Sequence, residues 1–156
     1  MRWAIREAMG SEDVTAVKAL FREYEQWLGA DLCFQDFEQE LDSLPGLYAR
    51  PKGALLLALI ERQPCGCAAI RPASRRDTCE LKRLYVAERG RGLGIGLALT
   101  RRAMREAKKA GYRWIRLDTL SRLEKAIALY KGLGFREVAP FVPNAPADVV
   151  FMERAI

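Results

Sequence analysis

The residues with most to say about chemistry are Arg89-Gly90-Arg91-Gly92-Leu93-Gly94-Ile95-Gly96, which place four glycines within seven positions beside two arginines. Glycine gives up more backbone entropy on folding than any other residue, so this spacing suits a place where something must approach the main chain closely. Anion binding is the chemistry it fits. Unhindered N–H groups, together with the positive end of a following helix, would hold a phosphate. Two common nucleotide fingerprints do not fit. Gly-x-Gly-x-x-Gly needs a glycine at position 95 or 97, where the chain has Ile95 and Leu97, and no Gly-Lys-Ser/Thr follows for a triphosphate loop. A flexible strand-to-helix turn is the plainer alternative at this level.

Other chemistry is removed by what is missing. The chain has no histidine, so Ser-His-Asp and Cys-His nucleophile systems, imidazole bases and His-ligated metals are excluded. Of its four cysteines, Cys33, Cys65, Cys67 and Cys79, only Cys65 and Cys67 are closely spaced and no second pair matches them, so reduced structural thiols are expected and no metal. The N-terminus, MRWAIREAMG, lacks the apolar run of a secretory signal, which points to a cytoplasmic protein. The longest apolar run, Ala54 to Ile60, is far short of the roughly 20 residues of a membrane span and reads as a buried strand.

Charge is unevenly distributed. Overall the chain carries +6, yet residues 21 to 50 hold seven acids against two arginines, while the remainder is strongly basic. An acidic flank on a basic body follows.

The elements that must position the glycine segment can be read from periodicity. Residues 3 to 7 suggest a strand, and Ser11 a helix N-cap before Val14, Val17, Leu20, Phe21 and Tyr24 on one face. A short helix is expected over Asp36 to Leu44, stopped by Pro45-Gly46. Leu55 to Glu61 and Gly66 to Arg71 read as a hairpin turning at Gln63-Pro64, and Cys79 to Val86 as the next strand. After the glycines, Leu93, Leu97, Thr100, Met104, Ala107 and Gly111 mark the inward stripe of a long helix. A strand over Trp114 to Thr119, a helix over Glu124 to Leu133 ending at Gly134, and strands over Phe135 to Val138 and Val149 to Glu153 complete the chain, with a proline-rich loop between the last two. At 156 residues without a linker or repeat, a single domain over 1–156 of α/β (α+β) class is expected.

The glycine segment resembles the acyl-CoA-binding motif of the GNAT (GCN5-related N-acetyltransferase) family, Gln/Arg-x-x-Gly-x-Gly/Ala, at Arg89, Gly92 and Gly94. The likeness extends on both sides. CELKRLYV before it is similar to the family's fourth strand, and Ala126 to Val138 (AIALYKGLGFREV) to its last helix and following strand, so residues 79 to 138 are covered. The resemblance implies a mixed, mostly antiparallel central sheet of six to seven strands flanked by about four helices. It also implies acetyl-CoA as cosubstrate.

Site residues follow from the same resemblance. Backbone groups near Leu84 and Val86 would hold the pantetheine arm, Arg89 and the run Arg91, Gly92, Leu93, Gly94, Ile95 and Gly96 would cradle the pyrophosphate, and an N–H near Leu84 would face the oxyanion. Tyr130 falls where the family often has a tyrosine that protonates the departing thiolate, and a phenol of pKa about 10 suits a thiol of about 8.5. Tyr130 also shares a helical stripe with Ala126, Leu129 and Leu133, which a packed core tyrosine would do equally. Glu80 is the first candidate to deprotonate the amine, against a surface glutamate paired with Lys82, and Asp118 is the second. Leu123 stands where many members have an asparagine that contacts CoA, a contact Ser121 would have to replace.

The expected activity is therefore direct transfer of acetyl from acetyl-CoA to the primary amine of a small molecule or peptide. The acidic segment, if it walls the acceptor, favours a cationic one. Two further readings are a CoA sensor without turnover and a nucleic-acid module. The second rests on pI 9.4 and on Arg101, Arg102, Arg105, Lys108 and Lys109 along one helix, which read more simply as a solvated face. Neither nucleic acid nor membrane is the expected partner, and a homodimer stays open.

Overall fold

The apolar run ALLLALI cannot expose either of its faces, and it becomes a strand buried between two helical layers. In the computed structural model, which describes residues 2–29 and 36–156, the order is β1 (Trp3–Glu7), α1 (Gly10–Leu28), α2 (Phe37–Ser43), β2 (Ala54–Ile60), β3 (Gln63–Pro72), β4 (Thr78–Val86), α3 (Ile95–Lys109), β5 (Trp114–Leu120), α4 (Glu124–Gly132), β6 (Arg136–Val138) and β7 (Val149–Ala155). Short 3₁₀ turns at Gly46–Tyr48 and Glu88–Gly90 precede β2 and α3. Asp31 and Cys33 lie outside the described residues.

The seven strands form one sheet in the order β1-β2-β3-β4-β5-β7-β6, antiparallel throughout except between β4 and β5. Alternation along the central strands sends side chains to two cores. Leu56, Ala58, Ala68, Ile70, Leu81, Ile115 and Leu117 meet α3 on one face. Leu55, Leu57, Cys67, Ala69 and Tyr85 meet Val17, Leu20 and Phe21 of α1 and Phe37 and Leu41 of α2 on the other. The expected mixed, mostly antiparallel sheet with four flanking helices is what the chain forms.

Two irregularities in β4 matter for function. Its pairing with β5 is confined to Thr78–Glu80 against Trp114–Arg116, after which β4 continues alone on that side to Val86 while β5 stays with β7. The sheet is thus split along its middle. On the opposite edge, Ala69 pairs with Lys82 and Cys67 with Tyr85, so β4 carries one more residue than β3 there, and Arg83 takes the left-handed φ of 59°. This bulge bends β4 away from β5.

Three sequence expectations need correction. Ser11 lies inside the first turn of α1, and the capping carboxylate is Asp13, whose Oδ2 accepts the Met9 N–H at 3.0 Å while Arg6 donates to its Oδ1 at 2.9 Å. The β2–β3 hairpin turns at Glu61 and Arg62, both with positive φ, while Gln63 and Pro64 already belong to β3. The inward face of α3 consists of Ile95, Leu99, Thr100, Ala103, Glu106 and Ala107, sharing only Thr100 and Ala107 with the expected stripe. Ala103 and Ala107 let the helix sit close to the sheet, which moves the larger Leu97 and Met104 to its flanks.

Candidate active site

Splitting β4 from β5 leaves strand backbone without a partner, and the space it opens is a cavity of about 390 Å³ lined by Leu81–Leu84 on one side and Leu117–Leu120 on the other. Tyr24 and Trp27 of α1 close one end, and Leu123, Ala126 and Tyr130 of α4 another. A second cavity of about 920 Å³ lies under α2 and the 140–146 loop. Lys82 and Asp118 line both, so the two spaces meet at that pair.

The glycine segment begins the helix on the β4 side of the split. Gly92 and Gly94 take φ of 79° and 81°, and a Cβ at either would meet nothing within 4 Å, so the turn opens onto free space. None of the backbone N–H groups from Gly92 to Leu97 donates to another group of the described residues. Six consecutive unpaired donors at the positive end of a fifteen-residue helix form a nest suited to an anion. Leu93 is half-buried there and Ile95 is buried under the turn. Gly90 serves packing, since a Cβ there would come within 3.1 Å of the Cys65 sulfur, and Gly96 sits over Val86.

The two arginines are already engaged. Arg89 donates from Nε and Nη2 to the Pro64 carbonyl at 3.0 and 2.9 Å and forms a two-point ion pair with Glu23. Arg91 donates from Nε to the Val86 carbonyl at 2.9 Å and lies over Trp27, 5.2 Å from the ring centroid, with its remaining nitrogens available. Leu84 lines the split cavity directly, and Val86 ends the unpaired stretch of β4.

Tyr130 is only 6% exposed, its ring 5.7 Å from Phe135, and it faces the split cavity. It is therefore packed and also available to a ligand. Burial raises its pKa well above the ordinary phenol value, so the hydroxyl keeps its proton throughout the neutral range. Ser121 is exposed, gives its N–H to the Asp148 carbonyl, and does not line the cavity. Thr119 does.

Glu80 lies in the 920 Å³ cavity, with Arg71 as its ion-pair partner at 3.9 Å rather than the expected Lys82. Lys82, 7% exposed, instead donates to Asp118 Oδ1 at 3.2 Å. Burial pushes the Lys82 pKa down and the Asp118 carboxylate opposes that shift. Sequence reasoning missed Lys82, Arg71, Arg116 and Tyr48 as cavity residues. The available signal was the placement of Glu80 and Lys82 two residues apart, on one face of a mostly buried strand.

The acidic segment is paired in part, while Asp36 and Asp42 are exposed without an ion pair among the described residues. Glu23 is taken by Arg89, Glu38 by Arg22, and Glu40 by a two-point pair with Arg83 at 2.9 and 3.0 Å. These ion pairs reduce the charge that Glu23, Glu38 and Glu40 can offer a cationic acceptor. Cys65, Cys67 and Cys79 are buried free thiols whose pKa values burial raises, which keeps them protonated and inert. No helix of the described residues is long and apolar enough to cross a membrane.

Known proteins are similar to this chain in sequence and fold. The family model for the acetyltransferase (GNAT) family matches residues 14–135. An uncharacterized N-acetyltransferase of Schizosaccharomyces pombe is 38% identical over 142 residues, spanning 90% of this chain and 87% of its own. A GNAT-family acetyltransferase of Staphylococcus aureus superposes with a TM-score of 0.80 at 19% identity over 99% of both chains. The PaiA N-acetyltransferase of Thermoplasma acidophilum, solved in complex with coenzyme A, does so with 0.77 at 19% identity over the whole of both.

Proposed function

Because this chain belongs to the acetyltransferase (GNAT) family, we propose that it transfers the acetyl group of acetyl-CoA to a primary amine by direct attack, as a single domain over residues 1–156. The observation that carries this reading is the continuity of the site. Six unpaired N–H groups at the start of α3 lead to the unpaired edge of β4, and that edge lines the cavity that holds the Tyr130 side chain.

Each part has a role in the reaction. The N–H groups from Gly92 to Leu97 and the free side of Arg91 receive the pyrophosphate, while Arg89 braces the turn through Pro64 and Glu23. The pantetheine arm lies beside Leu84 and Val86, taking the place along β4 that β5 vacates. Glu80, in the adjoining cavity, removes a proton from the ammonium form of the acceptor, directly or through a water. Asp118 is committed to Lys82 and is the less available base. Attack on the thioester carbonyl creates an oxyanion that a β4 N–H near Leu84 stabilises. Collapse of the intermediate expels the thiolate, and Tyr130, protonated at neutral pH, supplies its proton. The remaining proton shed by the substrate nitrogen passes through water to restore the phenol.

Release of free CoA thiol from acetyl-CoA, measured across a panel of primary amines, tests the proposal. Amine-dependent release is expected. Tight acetyl-CoA binding without turnover on any amine would leave a CoA sensor as the better account.

A further inference from the structure

Among the described residues, two buried side-chain polar atoms have no hydrogen-bond partner, Arg116 Nε and Tyr48 Oη, and both belong to residues lining the 920 Å³ cavity. Buried polar groups are almost always satisfied, so each orphan calls for a partner. Tyr48 Oη lies under the influence of the Glu40 carboxylate, whereas Arg116 Nε belongs to a permanent cation that no carboxylate of the described residues contacts.

The charge pattern around Arg116 follows from strand register. Arg71 of β3 pairs with Glu80 of β4, Glu80 with Arg116 of β5, Arg116 with Glu153 of β7, and Glu153 with Arg136 of β6. This row of alternating sign lies on the α1–α2 face of the sheet. The carboxylates on either side of Arg116 are engaged elsewhere: Arg71 lies 3.9 Å from Glu80, and Arg75 contacts Glu153 at 3.0 Å. Arg116 is 6% exposed and has no carboxylate within 4 Å among the described residues. Its polar contact is Ser74 Oγ at 3.5 Å, and its guanidinium lies over the Phe141 ring, 4.0 Å from the centroid. Burial lowers its pKa, with Glu80 the largest opposing influence. The other charges of the cavity are matched, Glu40 by Arg83 and Asp118 by Lys82, while Asp36 is exposed at the rim. A desolvated guanidinium without a counter-ion favours an anionic guest.

Resting on the acetyl-transfer reading above, we infer that the acceptor carries a carboxylate, held by Arg116, and that the simplest such acceptor is an α-amino acid with an apolar side chain. Glu80 is the strand neighbour of Arg116, about 4.8 Å across the sheet, so one molecule with amine and carboxylate on the same carbon can present one group to each. Guanidinium and carboxylate match in a two-point geometry. Phe141, Val142, Phe151 and Leu47 supply the apolar wall for the side chain. A carboxylate so held, rather than the acidic segment, would set the charge preference.

The test compares L-phenylalanine and L-leucine with phenethylamine, isopentylamine and spermidine as acceptors at saturating acetyl-CoA, beside calorimetric titration of the same compounds onto the acetyl-CoA complex. The kcat/KM for L-phenylalanine should exceed that for phenethylamine by about 30-fold, the scale of a charge-assisted hydrogen-bond pair. Arg116→Met should cut that ratio to about 3-fold through KM, and Arg116→Lys, which keeps the charge but not the two-point geometry, should lower it by about 5-fold. The melting shift produced by acetyl-CoA verifies that each variant folds, and Arg116→Lys supplies the readout if Arg116→Met does not. A preference for phenethylamine or spermidine, or a ratio untouched by either variant, overturns the carboxylate site while leaving acetyl transfer intact. Should no amine be turned over, the transfer reading fails. The titrations then decide this one, binding of L-phenylalanine but not phenethylamine supporting it and binding of neither amino acid overturning it.

Discussion

The two halves of the cleft are built from different material. On the α3 side the recognition groups are main-chain N–H donors, fixed by helix geometry and by two left-handed glycines, with few side chains involved. On the α2 side they are side chains brought together from three strands, Arg71 paired with Glu80, Lys82 paired with Asp118, and Arg116 between them without an ion pair among the described residues. A site made of backbone offers little that substitution can alter without breaking the turn. One made of paired charges can be re-specified by a single residue. A constant cosubstrate on the first side and a variable acceptor on the second is the division of labour this favours.

The comparison can be broken most severely at Gly94. Valine there would have to adopt φ of 81°, which β-branched residues resist, and would place a side chain in the space over the nest. Gly94→Val should remove the acetyl-CoA-dependent rise in melting temperature and lower kcat/KM by about 100-fold or more. An undiminished thermal shift would return the glycine segment to the status of an ordinary turn.

Tyr130→Phe comes next. It should slow kcat by roughly ten- to a thousand-fold with the Kd for acetyl-CoA nearly unchanged, because the hydroxyl acts only as the thiolate leaves. Wild-type turnover from this variant would mean that the buried ring serves packing alone.

Glu80→Gln sharpens the acceptor half. A decrease of about 10- to 100-fold in kcat, smaller for acceptors supplied as weakly basic amines that need no deprotonation, is expected if Glu80 is the base. Equal losses for all acceptors would shift the role to Asp118 or to solvent.

The smallest effect lies outside both halves. Glu106 of α3 is nearly buried, which raises its pKa, but hydrogen bonds from Arg102 at 2.8 Å and Arg50 at 2.6 Å more than reverse this and hold it at about 2. A carboxyl depressed in the folded state stabilises fully above its unfolded value of 4.5 and loses that contribution as pH falls toward 2. The melting temperature should therefore fall in that window. Glu106→Gln should lower it by a few degrees at pH 7 and flatten the acid limb, with CoA binding retained.

The two halves also differed in how far the sequence disclosed them. The α3 half is local, since eight consecutive residues contain the turn and the helix start, and the strand before them was readable from its apolar character. The acceptor half depends on register. Arg71, Glu80 and Arg116 become neighbours only because β3, β4 and β5 align at those positions, and nothing near any one of them announces the other two. The same limit explains the misplaced face of α3. Helical spacing admits two adjacent stripes, and the choice was made by the small Ala103 and Ala107 against the sheet, a tertiary preference invisible to periodicity. Asp13 displaced Ser11 as the cap because Arg6, on the neighbouring strand, holds its carboxylate at the helix start.

The central claim is that unpaired backbone, along the glycine turn and the β4 edge, binds the cosubstrate. Amide hydrogen exchange with and without acetyl-CoA tests it residue by residue. The N–H groups from Gly92 to Leu97, which have no acceptor among the described residues, should exchange rapidly alone and be slowed about tenfold or more by acetyl-CoA, with further protection between Arg83 and Val86. Unchanged exchange across both segments at saturating acetyl-CoA, with protection appearing elsewhere, would contradict the account.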